Sequence, residues 1–115
     1  MEINKLSKII ELLTSATEKD SLVWTEVNSS FSTVISECKI IVSSCLDSFT
    51  NEYYVSVDFY NDKGVQFDNV IFYQTSEGEI YKMIIDLYNL ISDKYYKKTE
   101  SENKIIDGLK GLLGQ

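Results

Sequence analysis

The stretch from Tyr53 to Phe72 constrains the fold most. Tyr53, Val55, Val57 and Phe59 alternate with Tyr54, Ser56, Asp58 and Tyr60, and after Asn61-Asp62-Lys63-Gly64 a second β-rich run extends from Val65 to Phe72. A period of two matches a strand with one buried and one wetter face, and fits no face of a helix. The Asn-Asp-Lys-Gly connection suits a type I turn whose last residue sits in the left-handed region, where glycine meets no steric penalty. This reads as a hairpin, and one of its faces needs a cover.

Upstream, β-branched and aromatic residues predict three shorter strands, 22–27 with Trp24, 31–36 and 39–45. Asn28-Ser29-Ser30 and Ser36-Glu37 are the turns between them. Leu46–Asn51 reads as a loop, and the hairpin supplies strands 53–60 and 65–73. The cover comes from helices. Over residues 2–19, Ile3, Leu6, Ile9, Ile10, Leu13 and Ala16 form an apolar stripe. Over 76–98 the stripe is Ile80, Met83, Ile84, Leu87, Leu90 and Ile91, with Ser76 and Glu79 placed as a capping box and Lys94, Lys97 and Lys98 in the last turn. A second capping box, Thr99 with Glu102, predicts a separate tail helix. Its apolar residues are Ile105, Ile106, Leu109, Leu112 and Leu113, and it is destabilised by Gly108 and Gly111 unless it docks on something apolar.

Length allows one domain, residues 1–115, and there is no proline, repeat or low-complexity linker to divide it. The expectation is an α+β domain of two layers: an N-terminal helix, a four- to five-stranded antiparallel sheet, a long C-terminal helix and a short tail helix.

Charge narrows the partners. Net charge is −7, and residues 1–80 carry 13 acids against 5 lysines. Such a chain repels phosphate backbones and anionic lipid heads, so neither nucleic acid nor membrane is expected as a partner. No apolar run is long enough to span a bilayer, and the first residues lack the pattern of a signal peptide. Cys38 and Cys45 are seven apart; if they share one strand they fall on opposite faces roughly 23 Å apart, beyond the reach of a disulfide. Reduced thiols and a cytoplasmic location follow as the expectation.

Catalytic chemistry finds little to work with. Histidine is absent, and two cysteines cannot assemble a four-ligand zinc site from Cys and His. None of the five glycines belongs to a phosphate-binding loop. No cofactor is expected. Asp58, Asp62 and Asp68 surround the hairpin without the spacing of a calcium loop, and outward-facing, solvated carboxylates are the simpler reading. Aromatic placement is more informative. Tyr81, Tyr88 and Tyr95 recur every seven residues along the long helix, while Tyr60 and Tyr73 lie on the hairpin strands. Tyrosine joins an apolar body to a polar tip and suits interfaces, and equally the boundary between helix and sheet. With Asp58, these five tyrosines make the candidate interaction surface.

Ile9-Ile10-Glu11-Leu12-Leu13 with Thr14 and Thr17, then Trp24, Tyr54 to Gly64, Leu87-Tyr88 and Ile105 to Leu113 form an ordered set. In that order the chain resembles a loose group of small uncharacterised bacterial and phage-like proteins with a helix, an antiparallel sheet and a further helix. The resemblance implies a helix packed on a curved antiparallel sheet and brings no activity. The longer acidic loop at Leu46–Glu52 departs from it.

The functional expectation is a non-enzymatic protein-interaction module of the inhibitor, immunity or adaptor type, acting on another protein with a basic surface. A homodimer through the tail helix or an unpaired edge strand is a second way to associate. The alternative is a small-ligand binding or sequestering protein that uses tyrosines at the helix–sheet boundary. A carboxylate-based enzyme ranks last.

Overall fold

The computed structural model describes residues 1–75 and 78–115. Helix α1 spans Ile3–Glu18. Strands β1 (Thr25–Val27), β2 (Ser30–Ile35), β3 (Cys38–Asp47), β4 (Glu52–Tyr60) and β5 (Gln66–Tyr73) follow, and helix α2 spans Gly78–Leu112. The strands form one antiparallel sheet in sequence order, β1-β2-β3-β4-β5. Every connection is therefore local.

Register explains which face is buried. Phe31 pairs with Val42, Val42 with Val57 and Val57 with Val70, while Ile40 pairs with Phe59 and Val55 with Phe72. Alternation places all of these on one face. The core joins them to Leu6, Ile10 and Leu13 of α1 and to Ile80, Ile84, Leu87 and Ile91 of α2. Both helices thus lie on the same side of the sheet, giving two layers, and each fully buried core side chain contributes about 1.5–3 kcal/mol.

The turns follow from their residues. Gly64 has φ +78, its amide bonds to Asn61 O at 3.0 Å, and Asn61 Oδ1 accepts from Lys63 N and Val65 N at 3.0 Å each. At Asn28-Ser29 and Ser36-Glu37 both residues of each pair have positive φ, as two-residue hairpin turns demand.

Several boundaries differ from the sequence expectation. β1 begins at Thr25 rather than 22, because Leu22–Trp24 are bonded elsewhere: Thr33 Oγ1 donates to Val23 O at 2.9 Å, and Trp24 Nε1 donates to Thr17 Oγ1 at 3.1 Å. β3 runs on to Asp47, since Leu46 pairs with Tyr53 and Asp47 with Glu52, leaving only 48–51 as loop. β5 starts one residue later than expected, at Gln66.

The largest correction concerns the tail. It is no separate helix: α2 continues for 35 residues, which at 1.5 Å per residue is about 52 Å, close to the molecule's longest extent of 56 Å. Thr99 does not cap a new helix. Its hydroxyl donates to Tyr95 O at 3.0 Å, one turn back. Lys94, Lys97 and Lys98 are consequently mid-helix. Lys94 Nζ instead ties α2 to the end of α1, reaching Glu18 O at 3.1 Å and Asp20 Oδ1 at 2.9 Å. The expected Ser76 capping box falls outside the described residues.

Candidate functional site

The structure does not bring the six candidate residues into one surface. Tyr81, Tyr88 and Tyr95 are half-buried against the core, on the inner side of α2. Phe31 is the hub of this cluster. Its ring centroid lies 5.4 Å from that of Tyr88 and 5.6 Å from that of Tyr95, both edge-to-face, and 6.4 Å from that of Tyr96. Tyr88 also donates its hydroxyl to Ser29 O at 2.7 Å, pinning the β1–β2 turn to the helix. Burial pushes the Tyr81 and Tyr88 phenols up. Tyr96 is pushed up to about 12, chiefly by the neighbouring Glu26 carboxylate.

Tyr60, Tyr73 and Asp58 lie on the opposite, uncovered face. Asp58 accepts a hydrogen bond from Asn69 Nδ2 across the β4–β5 pair, and Lys39 Nζ sits 4.8 Å over the Tyr60 ring. Asp68, expected to face outward, does not. Its register partner is Phe59, and it faces the helix layer, where the Met1 ammonium lies 2.7 Å from Oδ2 and holds the carboxyl below the usual range. Cys38 and Cys45 are free and occupy opposite faces of β3.

Near Tyr73 the uncovered face ends in a built feature. Tyr73 packs at a tilt against Tyr54, ring centroids 5.4 Å apart, and donates to Asp47 Oδ2 at 3.2 Å. Asp47 also organises the β3–β4 loop. Its Oδ1 accepts from Phe49 N at 2.9 Å and Thr50 N at 3.4 Å, and its carbonyl accepts from Asn51 N at 2.8 Å. The Phe49 amide bond is the main reason the Asp47 carboxyl titrates below the usual range. Glu52, at the other end of the loop, accepts from Thr75 N at 3.0 Å and from the Thr75 hydroxyl. At the tip of this anchored loop Phe49 is 98% exposed. In the sequence Phe49 lies inside a polar stretch; the signal that marks it is an aromatic residue set two positions after an aspartate able to form an Asx turn.

Two concavities flank α1. An apolar groove of about 550 Å³ runs beside the helix, with Ile9, Leu12 and Ala16 on one wall and Ile35, Cys38 and Phe67 on the other. Phe67 reaches it through a bulge: Phe59 pairs with Asp68 but Tyr60 pairs with Gln66, leaving Phe67 as the extra residue. A second hollow of about 410 Å³ lies at the helix–sheet boundary between Trp24, Tyr95, Lys94 and Lys98. Beyond the body, residues 101–115 are exposed throughout, including Ile105, Ile106, Leu109, Leu112 and Leu113. Among the described residues nothing provides the docking expected of the tail.

No protein-family model matches the sequence, and neither a curated protein nor a solved structure shows significant similarity to it.

Proposed function

We propose that the protein is a non-enzymatic protein-interaction module of the cytoplasm, of the inhibitor, immunity or adaptor type, that engages its partner through the β3–β4 loop. The observation that carries this reading is Phe49, almost fully exposed on a loop fixed by four hydrogen bonds to Asp47. A rigid, exposed aromatic ring binds with little ordering cost and is the kind of side chain that anchors an interface. Asp47 and Glu52 flank it, so the partner presents a pocket for the ring and a basic rim. Encounter then slows as salt rises. A photo-cross-linking amino acid in place of Phe49, introduced in cells that make the protein, captures this partner. With the purified pair, Phe49→Ala is expected to weaken binding by at least about thirtyfold, the effect of losing an anchor residue. Adducts that form equally from an exposed position on α1, or a purified pair indifferent to Phe49→Ala, overturn the reading.

The boundary hollow favours a second reading, a small anionic aromatic ligand stacked on Trp24 and Tyr95 beside Lys98. Trp24 is the lone tryptophan of the chain, so its emission reports directly on such a ligand. Quenching that saturates in the wild type and is abolished by Lys98→Glu supports this reading over the first.

A further inference from the structure

The groove beside α1 is floored by the core and walled by apolar side chains that stay in the open. Leu13, Ile40 and Phe59 line its floor and are at most 8% exposed. On its sides Leu12 and Phe67 are each 57% exposed, and Ile35 is 37% exposed. Ala16, the smallest side chain on the α1 wall, leaves the space open. Phe67, the extra residue of the β5 bulge, closes the far wall with its ring centroid 6.0 Å from that of Phe59. Apart from the Cys38 thiol, the polar side chains of the lining are Lys39 and Tyr60, whose tips meet each other on the uncovered face of the sheet. An occupant must therefore offer hydrocarbon to the walls and keep its polar group in water.

Size narrows the choice. The volume of about 550 Å³ is that of a small-molecule site. From Ile9 to Ala16 the α1 wall is about 10 Å long. A partner helix about 10 Å thick would cover about 100 Å² there, against the roughly 800 Å² that each side of a stable interface buries. A partner strand would carry backbone amides against walls of carbon. A bilayer lipid brings two chains to a slot for one, and the net charge of −7 repels anionic head groups. One extended chain fits: at roughly 1.3 Å gained per carbon, about eight carbons span the groove. We propose that the groove binds a free, straight-chain aliphatic molecule of about eight to ten carbons with an uncharged polar head. The site is separate from the Phe49 loop, so the two proposals fail independently.

The two cysteines supply the readout, because Cys38 lies on the groove wall and Cys45 on the opposite face of β3. Alkylation of each thiol by iodoacetamide is followed by peptide mass spectrometry while straight-chain primary alcohols, from butanol to dodecanol, are titrated into the full chain. Saturable protection is expected at Cys38 and none at Cys45. Each added methylene is expected to lower the half-protecting concentration about fourfold, the gain from burying one such group, until the chain fills the groove at about eight to ten carbons. Longer chains gain nothing further. Ala16→Phe fills the groove from the α1 side and is expected to keep the wild-type far-UV spectrum while Cys38 becomes indifferent to octanol. Ile35→Trp does the same from the sheet side if Ala16→Phe unfolds. No protection of Cys38 overturns the proposal, as does equal protection of both thiols. A gain that continues undiminished to dodecanol overturns it in favour of loose surface adsorption. Protection by phosphatidylcholine vesicles but not by octanol overturns it in favour of a membrane surface.

Discussion

Phe31 is where the most side chains depend on one another. It is fully buried and meets three tyrosine rings of α2, so Phe31→Ala is expected to cost about 3–5 kcal/mol in urea unfolding, a cavity and the lost ring contacts together. Tyr96, at the edge of this cluster, links stability to alkaline pH. Its phenol is raised to about 12 from an ordinary 10.0 by the Glu26 carboxylate. The unfolded chain therefore loses this proton first. The contribution is fully present below pH 10 and disappears as pH rises through about 12. Unfolding midpoints followed over that window are expected to fall less steeply in Tyr96→Phe and in Glu26→Gln than in the wild type. Backbone strain at Ser36-Glu37 gives the opposite kind of change. A left-handed non-glycine residue costs about 1–2 kcal/mol, so Glu37→Gly is expected to raise stability by about 0.5–1 kcal/mol once the greater freedom of glycine in the unfolded chain is counted. At this scale the sequence was only partly legible. The apolar positions of both helices and the β4 alternation announce themselves, but Thr33 is buried with its hydroxyl donating to Val23 O, and Thr17, whose hydroxyl donates to Leu13 O one turn back, is buried where it also accepts from Trp24 Nε1. No local pattern marks a threonine for that.

Among elements, α2 behaves as two helices in one. Its first half is held by burial and its last third by propensity, because among the described residues nothing covers residues 101–112. Amide exchange should show this directly: protection is expected to be high over 80–91 and lower by orders of magnitude beyond Thr99. Leu87→Ala, in the buried half, is expected to cost about 2–5 kcal/mol. The division explains why the sequence pattern points to a separate tail helix. Thr99 and Glu102 have the spacing of a helix start, yet no residue between Asp93 and Lys104 breaks a helix, and a threonine inside one bonds its own preceding turn. A capping pattern marks a start only where the chain before it has already left the helix. The candidate tyrosines failed as one surface for a related reason. Spacing along α2 fixed their common side, but which sheet face that side would meet, and that Tyr60 and Tyr73 would point the other way, depended on strand register.

The whole molecule is a meander of nearest-neighbour hairpins under two helices, strongly acidic and with a sequence pI near 4.5. Solubility is expected to pass through a minimum near that pH, as the repulsion that keeps copies apart vanishes. An open meander also leaves two outer strands with unused backbone groups, and each is blunted differently. β1 offers only three residues, too short a template for another chain to extend. β5 offers eight, but the extra residue at Phe67 twists its first part out of plane and turns that ring toward α1. The same insertion therefore shapes the groove and spoils the strand as a seam for sheet growth. Deleting Phe67 to restore a flat β5 would remove both effects at once, and a protein that stays in solution only while its edge is bent would be expected to begin forming cross-β aggregates.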